Sequence, residues 1–148
     1  MRLFSFALIA GVAAIAAPLL AQQRDAAPFV IEETGQGFNR LQDALRTIGN
    51  ARATITIAPG SYRQCAVQEA GIITYRAAEP GTVIFDGVAC EEKAAFVLRG
   101  AGSRVDGLTF QNIAVSDENG AGIRLERGNL DVSNSMFRDS QQGILSGT

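Results

Sequence analysis

One passage of this sequence is written twice, 27 positions apart. Phe96-Val97-Leu98 aligns with Ile123-Arg124-Leu125, Val105 with Val132, Leu108-Thr109-Phe110 with Ser135-Met136-Phe137, and Asn112 with Asp139. A shorter copy, Gly143-Ile144-Leu145, follows Gly122-Ile123-Arg124 at an offset of 21. Offsets that vary in this way mark stacked units joined by loops of different length. Each unit then buries its apolar face only against its neighbours.

The type of element decides what kind of stack this is. Ile55 and Ile57 alternate with threonines, Ile73 and Tyr75 alternate with polar residues, and Val83-Ile84-Phe85 is a further strand signal. Ala58-Pro59-Gly60-Ser61 has the Pro-Gly centre of a type II turn, and Pro80-Gly81 turns the chain again. Helical repeats would need long 3.6-period stretches, which are missing after Gly49, and a regular Leu/Asn consensus is missing too. A β-sandwich is the rival, since it also strings short strands together. Recurrence of strand pairs at coil length favours an all-β fold, a right-handed parallel β-helix (solenoid). Each strand would pair with its equivalent one coil away, about 4.8 Å distant.

Only one segment reads as helix. Phe38, Leu41, Ala44, Leu45 and Ile48 share one face at the 3.6-residue period. Asn39 is the expected N-cap, with Gln42 three residues on, and Gly49 the expected terminator. The expected division is a signal peptide at 1–21, a strand (Phe29-Val30-Ile31) and capping α-helix within 22–52, and coils over 53–148.

The leader is read from Leu3 to Leu20, an uncharged apolar run behind Met1-Arg2. A bilayer-spanning helix competes with it, because the run approaches the ~20 residues a membrane needs. Alanines, Gly11 and Pro18 favour a leader cleaved near Ala21 and a periplasmic or secreted protein, which meets membrane only during export. The formal net charge of −2 becomes one unit more negative once Arg2 is removed, so no basic face calls for nucleic acid. The chain's two cysteines, Cys65 and Cys90, are expected to pair in an oxidising compartment. Such a bond would stabilise by about 3 to 4 kcal/mol on the chain-entropy estimate. Two buried thiols are the alternative, and two cysteines without histidine make a poor zinc site.

Gly37-Phe38-Asn39-Arg40-Leu41-Gln42-Asp43-Ala44-Leu45, followed by Ile55-Thr56-Ile57-Ala58-Pro59-Gly60-Ser61-Tyr62, resembles the N-terminal cap and first coil of the pectin-lyase-like superfamily. Val105-Asp106-Gly107-Leu108-Thr109-Phe110-Gln111-Asn112-Ile113 is similar to a coil common among its members. The resemblance spans residues 29–148. It implies a β-helix whose first end is covered by the helix. With about four coils and no second cover, it also implies either the N-terminal part of a longer protein or copies that pair end to end.

For function the resemblance points two ways. Lyases of the superfamily bind calcium through stacked carboxylates and abstract a proton with an arginine. Asp86 and Asp106, both followed by glycine, are expected to stack in neighbouring coils. Asp131, Asp139 and Arg124 are further candidates for substrate or ion, with Arg99, Arg104 and Arg127 as other bases. The plainer reading gives Asp-Gly its usual turn role, and makes Asp117-Glu118-Asn119-Gly120 a solvated loop. The sequence contains no histidine and no tryptophan. The histidine segments of pectate lyases and polygalacturonases are therefore absent, as is the Asp-Phe-Ile-Phe-Gly segment of pectin methylesterases. No cofactor is evident, calcium being the ion a lyase would need. The expectation is a non-catalytic exported protein that binds a polysaccharide or serves as a structural spacer. The alternative is a polysaccharide lyase acting on acidic polymer, with its catalytic coils beyond residue 148.

Overall fold

The computed structural model describes residues 26–147. The expected leader and its cleavage point lie outside them. In chain order the elements are β1 (Phe29–Ile31), β2 (Gln36–Phe38), α1 (Leu41–Ile48), β3 (Arg52–Ile57), β4 (Gly60–Tyr62), β5 (Ala66–Gln68) and β6 (Ile72–Ala77). They continue as β7 (Val83–Asp86), β8 (Ala94–Leu98), β9 (Gly102–Asp106), β10 (Leu108–Gln111), β11 (Ala121–Leu125), β12 (Asn129–Ser133), β13 (Met136–Arg138) and β14 (Gln142–Ser146).

These strands make three small sheets. The first has six strands in the order β12-β9-β6-β3-β1-β2; the others have four each, β13-β10-β7-β4 and β14-β11-β8-β5. From β3 onward the chain visits the sheets in rotation, so each strand lies parallel to the one three places on. The register confirms the spacing seen in the sequence. Phe96 pairs with Ile123, Val105 with Val132 and Phe110 with Phe137 at 27, and Ile123 with Ile144 at 21.

The expected right-handed parallel β-helix is corrected to this arrangement of three separate sheets of four to six strands, the largest of them mixed. Phe29-Val30-Ile31 is the reason. It is antiparallel both to β2, as the first arm of a hairpin, and to β3, where Phe29 faces Ile57 and Ile31 faces Ile55. A period-two pattern specifies which face is apolar but not the direction of the partner strand.

Inward-facing side chains form one core. Ile55, Tyr75 and Val105 line up across the first sheet, Phe85 and Phe110 across the second, and Ala66, Phe96 and Ile123 across the third, all with 1 % exposure or less. Phe29, Tyr62, Phe85, Phe110 and Phe137 form a ladder of aromatic contacts with ring centroids 5.0, 5.5, 5.8 and 5.2 Å apart. The core also holds a small polar network centred on Gln68. Gln68 Oε1 accepts from Tyr75 Oη (2.9 Å) and Ser103 Oγ (2.8 Å), while its Nε2 donates to the Gly102 carbonyl (3.1 Å). Buried polar groups are tolerated only when satisfied in this way.

Two local expectations are revised. Pro80-Gly81 turns as expected: Gly81 has φ +83°, and the Thr82 N–H reaches the Glu79 carbonyl at 3.2 Å. Pro59-Gly60 is no type II turn, because Gly60 already belongs to β4, pairs with Val83 and bonds the Thr82 carbonyl at 3.0 Å. The helix begins at Leu41 rather than Asn39, and Arg40 at its N-cap makes no side-chain cap. The Leu41 N–H, which has no partner within the helix, is met from outside it by Gln64 Oε1 at 3.1 Å. Gly49 ends the helix with φ +59° and its N–H on the Leu45 carbonyl, as expected.

Candidate functional site

A cavity lies at the helix end of the molecule, between α1, the segment leading into β5, and the loop from β7 to β8. Its volume is about 630 Å³, and Arg40, Arg46, Arg63, Val67, Val88, Glu69 and Glu91 are among its lining residues, with both cysteines. The walls are built by side-chain amides that finish backbone edges. Gln42 Nε2 donates to the Val67 carbonyl (3.0 Å) and its Oε1 accepts from the Val67 N–H (2.8 Å), so a helix side chain completes the edge of β5. Gln64 Nε2 reaches the Asn39 carbonyl at 3.1 Å while its Oε1 caps Leu41. An unpaired strand edge is an open template, and Gln42 closes it at the site, while Gln64 ties down the start of α1.

The far wall is the loop from Gly87 to Lys93, fastened by the Cys65–Cys90 disulfide (S–S 2.00 Å, Cα–Cα 5.4 Å). The expected pairing is therefore present, and it is compatible with an oxidising, extracellular compartment. Cys90 also packs against a second small apolar cluster, Ala94, Val97 and Ala121, on the other face of the third sheet. Within the loop Glu91 and Glu92 both have positive φ, 54° and 52°. Two successive non-glycine residues in that region are strained, and persist only where their surroundings hold them.

An ion-pair network does the holding. Arg99 donates to Glu126 through Nε (2.6 Å), to Glu69 through Nη1 (2.9 Å) and to Glu91 through both terminal nitrogens; Lys93 adds a 2.5 Å contact to Glu126. The Arg99 hydrogen bond holds the Glu91 carboxyl below the usual glutamate range. Lys93, with help from Arg99, does the same for Glu126. The hydrogen bonds from Glu91 and Glu126 push the Arg99 guanidinium further up.

The consequence for the cavity is electrostatic. Its two carboxylates, Glu69 and Glu91, are already occupied by Arg99. Of its three arginines, Arg46 has one exposed contact to Asp43 at 3.3 Å, while Arg40 and Arg63 have no carboxylate partner among the described residues. The arginines that line the cavity therefore outnumber its carboxylates by three to two.

The expected aspartates do not converge. Asp86 ends β7 in the second sheet and accepts from Asn112 Nδ2 at 2.7 Å, whereas Asp106 ends β9 in the first sheet and accepts from Asn134 (2.8 Å) and Ser133 (3.0 Å). They are not stacked, because Asp86 pairs with Gln111 in the second sheet, whereas Asp106 pairs with Arg76 and Ser133 in the first. The Asn134 hydrogen bond holds Asp106 below the usual aspartate range. Asp131 makes an exposed 3.6 Å contact to Arg104, and Asp139 occupies a left-handed corner, φ 51°, one repeat beyond Asn112, φ 58°. Arg124 lies on the third sheet between Val97 and Leu145, its Nε buried without a partner. No group of three or more His, Cys, Asp or Glu side chains that could hold a metal occurs among the described residues, and no helix of theirs is long and apolar enough to cross a membrane.

Arg40, Arg63, Gln42 and Gln64 were not singled out from the sequence as site residues. A signal was present, however: once Cys65 and Cys90 pair, Arg63-Gln64 and Glu91 must become neighbours. No family model, curated protein or solved structure matches the chain.

Proposed function

We propose that this is an exported, non-catalytic binder of acidic polysaccharide that engages uronate carboxylates in the cavity between α1 and the disulfide-fastened loop. The observation that carries the reading is the pair Arg40 and Arg63, exposed in a cleft whose three lining arginines outnumber its two carboxylates, both of which also pair with Arg99. A guanidinium presents two parallel donors that match the two oxygens of a carboxylate, and a uronate polymer repeats that carboxylate on every sugar. Val67 and Val88 offer apolar wall to the C–H face of a sugar ring. The volume is in the range of ~300–1,000 Å³ typical of ligand clefts. Export is supported by the disulfide and by the apolar, alanine-rich start of the sequence.

Calorimetric titration with a galacturonate hexamer, beside a neutral glucan hexamer, tests the proposal. The acidic oligomer is expected to bind, the neutral one not, and binding should weaken as salt screens the exposed guanidiniums. Arg40→Gln combined with Arg63→Gln should lower affinity about tenfold, at the upper end for two exposed charge pairs. Absorbance of the unsaturated uronide, followed in the same mixtures with and without added calcium, should stay flat. A rising signal would replace this reading by the lyase one, and equal binding of the neutral glucan would remove the role given to the arginines.

A further inference from the structure

The main cavity is not isolated. A narrow cavity of about 110 Å³ shares Gln42, Arg46, Val67 and Glu69 with it, and a third of about 370 Å³ shares Glu69 and Ala70 with the narrow one. The three follow one another around the corner of the molecule, past the end of α1 at Gly49 and Asn50, to Arg127, which follows β11. Arg127 is exposed and has no side-chain partner among the described residues, so the third cavity ends as the first begins, on a free guanidinium. Glu69 borders all three. Its carboxylate is the one negative charge in the middle of the path, and it pairs with Arg99 at 2.9 Å.

We infer that the three cavities form one continuous track for a polyanionic glycan several sugars long, with a second anion subsite at Arg127. This rests on the acidic-polysaccharide reading and adds to it the length of ligand and the direction in which it lies. A single uronate occupies one cavity, whereas only an oligomer reaches from Arg40 and Arg63 past Arg46 to Arg127. Arg46, on the outer face of α1 and 73 % exposed, is placed to meet the strand midway.

The test compares galacturonate oligomers of two, four and six units on the full chain and on two variants. For the unmodified protein the hexamer should bind at least about tenfold more tightly than the dimer. Arg63→Gln should lower dimer and hexamer affinity alike and keep their ratio. Arg127→Gln, a surface change that breaks no hydrogen bond of the fold, should instead shrink the hexamer-to-dimer ratio about threefold to fivefold, the size of one exposed charge pair. A ratio unchanged in Arg127→Gln, or no length dependence in the unmodified protein, would overturn the track and leave the single cavity standing. Failure of the hexamer to bind the unmodified protein at all would instead remove the reading on which the track rests.

Discussion

The two ends of the third sheet carry the same column of inward-facing residues and treat it in opposite ways. Ala66, Phe96, Ile123 and Ile144 stand side by side in register; the first three are 1 %, 0 % and 0 % exposed and the last is 43 % exposed. The small alanine is buried because α1 lies against β5 and Gln42 completes its backbone edge. The larger isoleucine is exposed because β14 is an edge strand with no cover among the described residues. Alternation along a strand decides which side chains point inward. Burial is decided by whether something lies over them.

Three sets of substitutions and one change of pH probe the contrast between the two ends. The largest contrast is expected within the column itself. Ile123→Ala should cost about 2–5 kcal/mol, as for other fully buried positions, and Ile144→Ala under ~1 kcal/mol, both read by urea denaturation. Equal costs would mean that the β14 end is covered in solution. Next, replacing both cysteines by serine should cost about 3 kcal/mol and expose the apolar cluster under Cys90. Hydrogen exchange should speed up in residues 87–94 while β12 to β14 remain as they were. Gln42→Ala removes two hydrogen bonds and reopens the β5 edge, at about 1–2 kcal/mol. Faster exchange at Val67 would identify the edge as the cause.

The smallest effect is acid-dependent. Glu91 and Glu126 are held below their ordinary value of 4.5 by Arg99 and Lys93. Because their folded values are depressed, the stability they add is complete above that value and is lost as pH falls through the folded values. Titration below about pH 4.5 should loosen the loop from Gly87 to Lys93 before the hairpin of β1 and β2, which that network does not reach. Simultaneous loss by nuclear magnetic resonance would show that the network does not hold the loop.

How much of this was legible beforehand follows the range of each interaction. The repeat at 27 predicted the register, because a residue and its in-register neighbour face the same surroundings and are drawn from the same residue types. The disulfide was legible because Cys65 and Cys90 had only each other. The direction of β1 was not, since the same apolar-polar alternation serves parallel and antiparallel neighbours. The Asn39 cap failed because Gln64, 23 residues beyond Leu41, supplied the hydrogen bond instead. Asp86 and Asp106 were misplaced for a simpler reason: the matching Asp-Gly pairs mark equivalent turns in appearance, but the rotation sets them on different sheets. The arginine-lined cavity escaped notice because it is assembled from three separate segments that meet only after the helix, the β5 edge and the fastened loop are in place.

The proposed anion site lies at the covered end of the molecule, away from β14 and from Asp106 and Asp131 of the first sheet. Backbone amide shifts recorded by nuclear magnetic resonance during addition of galacturonate hexamer test it most directly. The perturbed amides are expected to cluster at residues 40–46, 63–69 and 88–91, continuing to Asn50 and Arg127. Perturbations centred on Asp106 and Asp131, or on β12 to β14, would contradict it.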